Sequence, residues 1–212
     1  TLVRQLFPDS QIYPFKTFAD LAAALEADKI DAFPGDDAVI RMMMAEDTKL
    51  AMMDEPIMET YGVSFGFQKS EKGEKLRDEM DDWLRSVEEN GELERIQKKW
   101  IEGEENAKTL PDYASFPAPN GVLTMATEGE YAPFNYYRGN ELVGLELDLA
   151  ARFCQDRGYG LNVSAMAYEG VLPALASGKY DFAGAALLAT EEHKESVCFS
   201  RPYYFAKAVM KM

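Results

Sequence analysis

Cysteine, histidine and long apolar runs are all scarce in this chain of 212 residues. Two cysteines, Cys154 and Cys198, and one histidine, His193, are its whole complement of soft metal ligands. Neither cysteine stands in a C-x-x-C pair or beside the histidine, so zinc and thiol chemistry lack their ligand sets. Whether the two cysteines pair with each other stays open. No stretch approaches the roughly 20 apolar residues of a membrane-spanning helix. Positive charge is also short, with 22 Lys and Arg against 37 Asp and Glu, and the net charge of −15 repels nucleic acid and anionic membranes. The imbalance is uneven, with 14 basic and 25 acidic side chains in residues 1–110 against 8 and 12 in residues 111–212. Much of the excess lies between Glu71 and Trp100, where it reads as the solvated face of an amphipathic helix pair. One histidine, no serine elbow and no phosphate-cradling glycine loop leave no nucleophile with its base, so neither catalysis nor a cofactor is expected.

What is present is a globular composition, 47% hydrophobic and 28% charged, and an internal echo. The stretch YEGVLPALASGKYDFAG, Tyr168 to Gly184, aligns without a gap on FADLAAALEADKIDAF, Phe18 to Phe33, at an offset of 150. Phe18 falls on Tyr168, Ala24 on Ala174, Leu25 on Leu175, Lys29 on Lys179 and Asp31 on Asp181. Each copy has apolar residues at helical spacing, a Gly or Asp near the helix end, a Lys that offsets the helix dipole, then a short apolar strand. Two related α/β lobes are the natural reading.

Residues 1–65 alternate helix and strand: helices at 1–7, 18–28 and 36–47, strands at 10–15, 30–35 and 49–55, and a strand at 61–69. Residues 71–101 read as two helices broken at Asn90-Gly91, with Trp83, Leu84, Val87, Leu93, Ile96 and Trp100 as the buried stripe. The aperiodic stretch 102–120, with three prolines, reads as a linker. From Gly121 the pattern resumes with a strand, an irregular excursion at 130–142 and a helix at 146–158. A strand at 161–167, the helix of the second echo, a strand at 181–187, a polar helical turn at 190–196 and a final apolar segment complete it.

Both halves resemble the extracytoplasmic solute-binding proteins, family 3, that serve amino-acid ABC importers. In the second half the string ATEGEYAPFNYY, LVGLELDLAARF, YEGVLPALASGKYDFAGA and TEEHKESVCFSRPYY is similar in order and spacing to the family's first lobe. In the first half FADLAAALEADKIDAFPGDDAV, ETYGVSFGFQKSE and LRDEMDDWLRSVEENGELERIQKKW resemble its second lobe and closing helices. The resemblance implies an α/β, periplasmic-binding-protein-like (type II) fold, with mostly parallel sheets flanked by helices. It also implies an inverted order: residues 1–101 as second lobe and C-terminal helices of one binding domain, 102–120 as linker, and 121–212 as first lobe of a following domain. A circular permutant is the other possibility. The first residue is Thr1, which leads to the expectation of a piece whose targeting and anchoring segments lie outside it. The inverted order leads to a further expectation, that the halves do not close into one cleft. The second half is then completed by a helix pair of the 71–101 type, from across the linker or from a neighbouring chain, with a domain-swapped homodimer as one outcome.

The resemblance implies a module that holds a small polar solute, an amino acid or similar, between two lobes for an ABC permease. That permease can be fused in the same polypeptide, and the place of action is extracytoplasmic, in the periplasm or at the outer face of the cytoplasmic membrane. An input domain of a receptor kinase or cyclase, or a degenerate domain that binds nothing, are the alternatives. Its ligand positions fall on Glu128, which reads the ligand side chain, on Tyr131 and Tyr168, which sandwich it, and on Ala186, Leu188, Thr190 and His193, which face its carboxylate. In the first half Asp36, at a strand end, matches the acid that holds the ammonium; read alone, Asp36-Asp37 is a helix N-cap. The chain departs from the family pattern at three of these: His193 replaces an arginine, Ala186 a glycine and Leu188 a hydroxyl residue. A neutral imidazole cannot copy the paired, charge-assisted grip of a guanidinium on a carboxylate.

Overall fold

The computed structural model describes residues 4, 6–15, 18–46, 51–53, 57 and 61–211. The chain forms two compact units, Thr1–Tyr61 with Ala206–Met212, and Gly62–Phe205.

In the smaller unit helix α1 (Phe18–Glu26) leads to strand β1 (Phe33–Asp36) and directly into helix α2 (Asp37–Glu46). Leu25 from α1, Phe33 from β1 and Ile40 from α2 make its buried core, with Leu21, Ile30, Met43 and Met44 packed against them. The strand Ala208–Lys211, numbered β12 in chain order, pairs antiparallel with β1. The stretch 10–15, read as a strand, forms none; Pro14 removes a ladder donor near its end. The helix read at 1–7 and the strand read at 49–55 lie largely outside the described residues.

The larger unit is an α/β sheet with helices on its faces. Strands β2 (Tyr61–Val63) and β11 (Tyr204–Ala206) mark where the chain passes between the units. The sheet comprises β3 (Gly66–Gln68), β4 (Val122–Thr127), β8 (Gly160–Ala165), β9 (Phe182–Ala183) and β10 (Val197–Phe199), in the order β10-β3-β9-β4-β8. β4 is parallel to β8 and β9, and β3 runs antiparallel to both β9 and β10, so four of the five strands share one direction. This is the mostly parallel α/β arrangement expected from the sequence. Helices α3 (Glu71–Glu89) and α4 (Glu92–Ile101) follow β3 and break at Asn90-Gly91, where Gly91 takes φ +80°. All six residues of the expected stripe are buried. The pair docks on helix α5 (Leu145–Asp156) through two indole hydrogen bonds, Trp83 Nε1 to Asp156 at 2.8 Å and Trp100 Nε1 to Asp148 at 2.8 Å.

Two stretches are more regular than their sequence suggests. Residues 130–143 form a three-stranded meander, β5 (Glu130–Tyr131), β6 (Asn135–Arg138) and β7 (Glu141–Val143). Its strands of two to four residues are too short for alternation to register. The proline-bearing stretch 102–120 carries two 3-10 turns and packs on the larger unit: Arg138 Nη1 donates to the Lys108 carbonyl at 2.9 Å and Lys99 Nζ to the Thr109 carbonyl at 2.8 Å.

The echo is realised in the backbone. At the end of α1, Asp28 takes φ +53° and Lys29 N donates to the Ala24 carbonyl at 2.9 Å. One hundred and fifty residues on, after helix α6 (Tyr168–Ala176), Gly178 takes φ +79° and Lys179 N donates to the Ala174 carbonyl at 3.2 Å. Both helices thus end on a left-handed residue that turns the chain into a strand, a position glycine fills without strain. Asp28→Gly should therefore raise stability by about 0.5–1 kcal/mol. Gly178→Ala should lower it by about 1–2 kcal/mol, since its new methyl would also meet Gln68 Nε2 at 2.7 Å. Urea midpoints of the two variants check both signs.

Candidate functional site

In a mostly parallel sheet the strand ends that feed helices expose backbone and side chains together, which makes that edge the usual place for a ligand. Seven of the eight expected site residues lie in the larger unit, on the segments that leave β4, β8 and β9. Glu128 follows β4, Tyr131 ends β5, Tyr168 opens α6, and Ala186, Leu188, Thr190 and His193 lie between β9 and helix α7 (Glu191–Ser196) or within that helix. Asp36 lies in the smaller unit, at the end of β1 as expected, and accepts a hydrogen bond from the Tyr61 hydroxyl. Next to it Asp37 opens α2, and its carboxylate accepts from Lys207 N at 3.1 Å.

The centre of the edge is a residue the sequence reading passed over, Glu146. It is fully buried in the first turn of α5, and its two oxygens accept from Asn135 Nδ2 at 2.6 Å, Ala186 N at 2.9 Å and the Tyr203 hydroxyl. Burial pushes its carboxyl up, and the three donors oppose that shift. Burial and the Glu146 carboxylate together push the Tyr203 phenol far up, which keeps it a donor. The signal for Glu146 was available: an acid flanked by Leu145 and Leu147 at the head of an apolar helix is rarely buried without partners. Its partners, scattered from Asn135 to Tyr203, were not.

Glu146 also explains the loop after β9. By accepting from Ala186 N it fixes a residue that takes φ +48°, the left-handed region disfavoured for a side chain with Cβ. Leu188 forms an antiparallel bridge with Val63, and its carbonyl accepts from His193 Nδ1 at 2.8 Å. That contact places the neutral imidazole's proton on Nδ1. Thr190 caps α7, accepting from His193 N at 3.2 Å. Thr190 and His193 therefore serve the turn itself.

Glu128 is half-buried. Burial first, then the carboxylates of Glu146, Glu130 and Glu169, push its carboxyl up from 4.5 to about 7. Tyr168 is 42% exposed, and burial, then Glu128, Glu146 and Glu169, raise its phenol. The Tyr131 ring stacks on Phe134 with centroids 5.8 Å apart. Two buried acceptors in this region, Thr127 Oγ1 and Asn135 Oδ1, meet no donor among the described residues. The edge therefore offers aromatic faces and oxygen acceptors, a chemistry suited to a ligand rich in N–H.

Residues 123–211 match the family described as bacterial extracellular solute-binding proteins, family 3. That stretch, less than half of the chain, is similar to this family. The family 3 segment holds the whole of the Glu146 cluster. A probable histidine-binding protein of Campylobacter jejuni is 32% identical over 103 residues, 49% of this chain and 40% of that protein. An octopine-binding periplasmic protein of Rhizobium meliloti is 39% identical over 82 residues, 38% of this chain and 28% of that protein. A cyclohexadienyl dehydratase of Pseudomonas aeruginosa is 31% identical over 86 residues, 40% of this chain and 32% of that protein. The chain thus spans between 28% and 40% of the length of these relatives.

Other chemistry finds little support. Cys154 and Cys198 are free thiols, and burial pushes Cys154 up to about 12, far from a reactive thiolate. No metal-binding group of three or more His, Cys, Asp or Glu occurs among the described residues, and no helix among them is long and apolar enough to cross a membrane.

Two measurements follow. Ala186→Gly should stabilise the protein by about 1 kcal/mol by relieving the left-handed alanine, read from the urea midpoint. Because folding raises the Glu128 carboxyl from 4.5 to about 7, the folded protein holds a proton there that the unfolded chain releases. Its contribution therefore becomes less favourable as pH rises from about 4.5 to 7, and the full penalty persists above. Partial solvation limits that penalty to about 1 kcal/mol. Glu128→Gln should flatten the decline in stability between pH 5 and pH 8 by that amount.

Proposed function

We propose that this chain is a solute-binding module of an ABC-type amino-acid uptake system, acting outside the cytoplasm. It binds a small polar solute at the edge formed by Glu128, Tyr131, Tyr168 and the 186–193 turn of the larger unit. The observation that carries the reading is the convergence of half-buried acid and aromatic faces around Glu146, inside the family 3 segment. The relatives named for histidine and octopine support a small nitrogenous solute. The dehydratase among the relatives is the reason catalysis is the second reading. An ABC permease is the partner and anchoring lies in other segments. The domain division that goes with this reading is second-lobe and closing-helix residues 1–101, spacer 102–120 and first-lobe residues 121–212.

The reading is tested by thermal unfolding of the whole chain against a panel of the twenty amino acids and their corresponding amines. A binding solute at one hundred times its dissociation constant should stabilise the protein by about 2.7 kcal/mol. A flat response across the panel would identify a degenerate domain instead. A second outcome concerns standard L-amino acids, which should bind poorly because a buried carboxylate finds no guanidinium in the 186–193 turn. The triple change Ala186→Gly, Leu188→Thr and His193→Arg should restore one amino acid. A charge-assisted contact contributes roughly 1.5–3 kcal/mol, so calorimetry should show about ten- to a hundredfold tighter binding.

A further inference from the structure

Resting on the solute-binding reading above, we infer that this site takes an organic cation without an α-carboxylate, an amine or a guanidine, in preference to a zwitterionic amino acid. Three independent features of the larger unit point the same way.

The first is the sign of the charge. The groups acting on Glu128 are Glu146 at the head of α5, Glu130 in β5 and Glu169 in α6, all acids, and Tyr168 feels Glu128, Glu146 and Glu169. Basic side chains carried by β6, α5 and α7 are engaged elsewhere: Arg138 with Glu105 and Glu141, Arg152 with Asp148 and Glu92, Lys194 with Glu191. A carboxylate brought here would meet like charge without a forked donor, while a cation would be attracted by every one of these acids.

The second is the pair of buried acceptors. Asn135 is fully buried; its Nδ2 donates to Glu146, while Oδ1, on the same amide, meets no donor among the described residues. Thr127 is fully buried at the end of β4, immediately before Glu128, and its Oγ1 likewise has none. Buried polar atoms are normally satisfied; Asn135 Oδ1 can only accept, so its complement is a donor such as an N–H, and the Thr127 hydroxyl can accept a second.

The third is the turn that would have to hold a carboxylate. Ala186 N, a backbone donor in the 186–193 turn, is already bound to Glu146, and His193 Nδ1 is committed to the Leu188 carbonyl. Of these two groups, only the outer imidazole nitrogen stays open to a ligand, and it is an acceptor in the neutral ring. The aromatic rings of Tyr131 and Tyr168 supply faces with affinity for a cation but none for an anion.

The matched pair agmatine and L-arginine isolates the point, because the two share a guanidinium and differ by one carboxylate. Calorimetry on the whole chain at pH 8 should show agmatine binding at least tenfold tighter. Glu128→Gln should weaken agmatine about tenfold, and His193→Arg should shift the preference toward L-arginine. Agmatine should also bind about tenfold more weakly at pH 6 than at pH 8, as Glu128 takes up its proton among Glu130, Glu146, Glu169 and Tyr168, and Glu128→Gln should abolish this dependence. Thermal unfolding checks that each variant folds, and Tyr168→Ala, at an exposed position, gives an independent loss of agmatine affinity if Glu128→Gln does not fold. Equal or tighter binding of L-arginine by the unmodified chain overturns this inference and leaves the solute-binding reading standing. Silence toward both probes in a protein that responds to another panel solute also overturns it alone, and silence toward every solute overturns both.

Discussion

A three-residue strand from the first half of the chain holds together the sheet of the second. Gly66–Gln68 lies between β9 and β10, pairing Gly66 with Ala183 on one side and with Phe199 on the other. Among the described residues β10 has β3 as its one neighbour in the sheet, so without it the polar groups of that strand would lose their ladder, a loss that buried backbone does not tolerate. The fit is close. A methyl at Gly66 would stand 3.1 Å from both Leu175 and Leu187, so a glycine lets the strand approach its neighbouring side chains. Phe65 and Phe67 flank it, with Phe65 packed edge-on to Phe182 and against Tyr203, and Phe67 stacked on Phe182.

From that strand the rest of the larger unit follows. Ser70 caps α3 by accepting from Gly73 N at 3.2 Å, and α3 returns across the sheet so that Lys72 reaches Asp181 at 2.7 Å. Asp181 also accepts from Thr124 N and Thr124 Oγ1, which joins β4 to the entrance of β9. This gives the Lys-x-Asp portion of the echo a physical role in the second copy: the lysine backbone closes the helix, and the aspartate joins the incoming strand to its neighbour. The Glu146 node does the same for the opposite end of these strands, drawing the meander, the turn after β9 and Tyr203 to one carboxylate. Burying that charge is costly, and three donors from three segments offset it. An arrangement of this kind constrains geometry around this edge of the sheet more than it adds net stability.

Much of the architecture was legible because it rests on local chemistry. The α3–α4 stripe from Trp83 to Trp100 follows from helical periodicity, and the break between them from Asn90-Gly91. The shared turn after α1 and α6 is visible as a Gly or Asp before Lys. Glu128, Tyr131 and Tyr168 were read as motif positions, and the fold puts them at strand and helix ends. Glu146, Asn135 and Thr127 were not, because their importance lies in burial and in partners far away in sequence. The meander at 130–143 was missed for another reason, since strands this short carry no period.

The sequence by itself determined that the chain is an acidic α/β protein with two echoing helix-to-strand units. It also showed that His193, Ala186 and Leu188 stand where the resembled family has an arginine, a glycine and a hydroxyl residue, and that an amphipathic helix pair follows Gln68. These are statements about neighbours along the chain, where spacing sets which side chains share a face. Tertiary structure alone decided that β3 would sit between β9 and β10, that Glu146 would be buried under three donors, and that Ala186 N and His193 Nδ1 would be committed within the protein. Each of these depends on segments separated by tens of residues meeting in one low-dielectric place, and that meeting sets both the charge of the edge and the hydrogen bonds left open to a ligand.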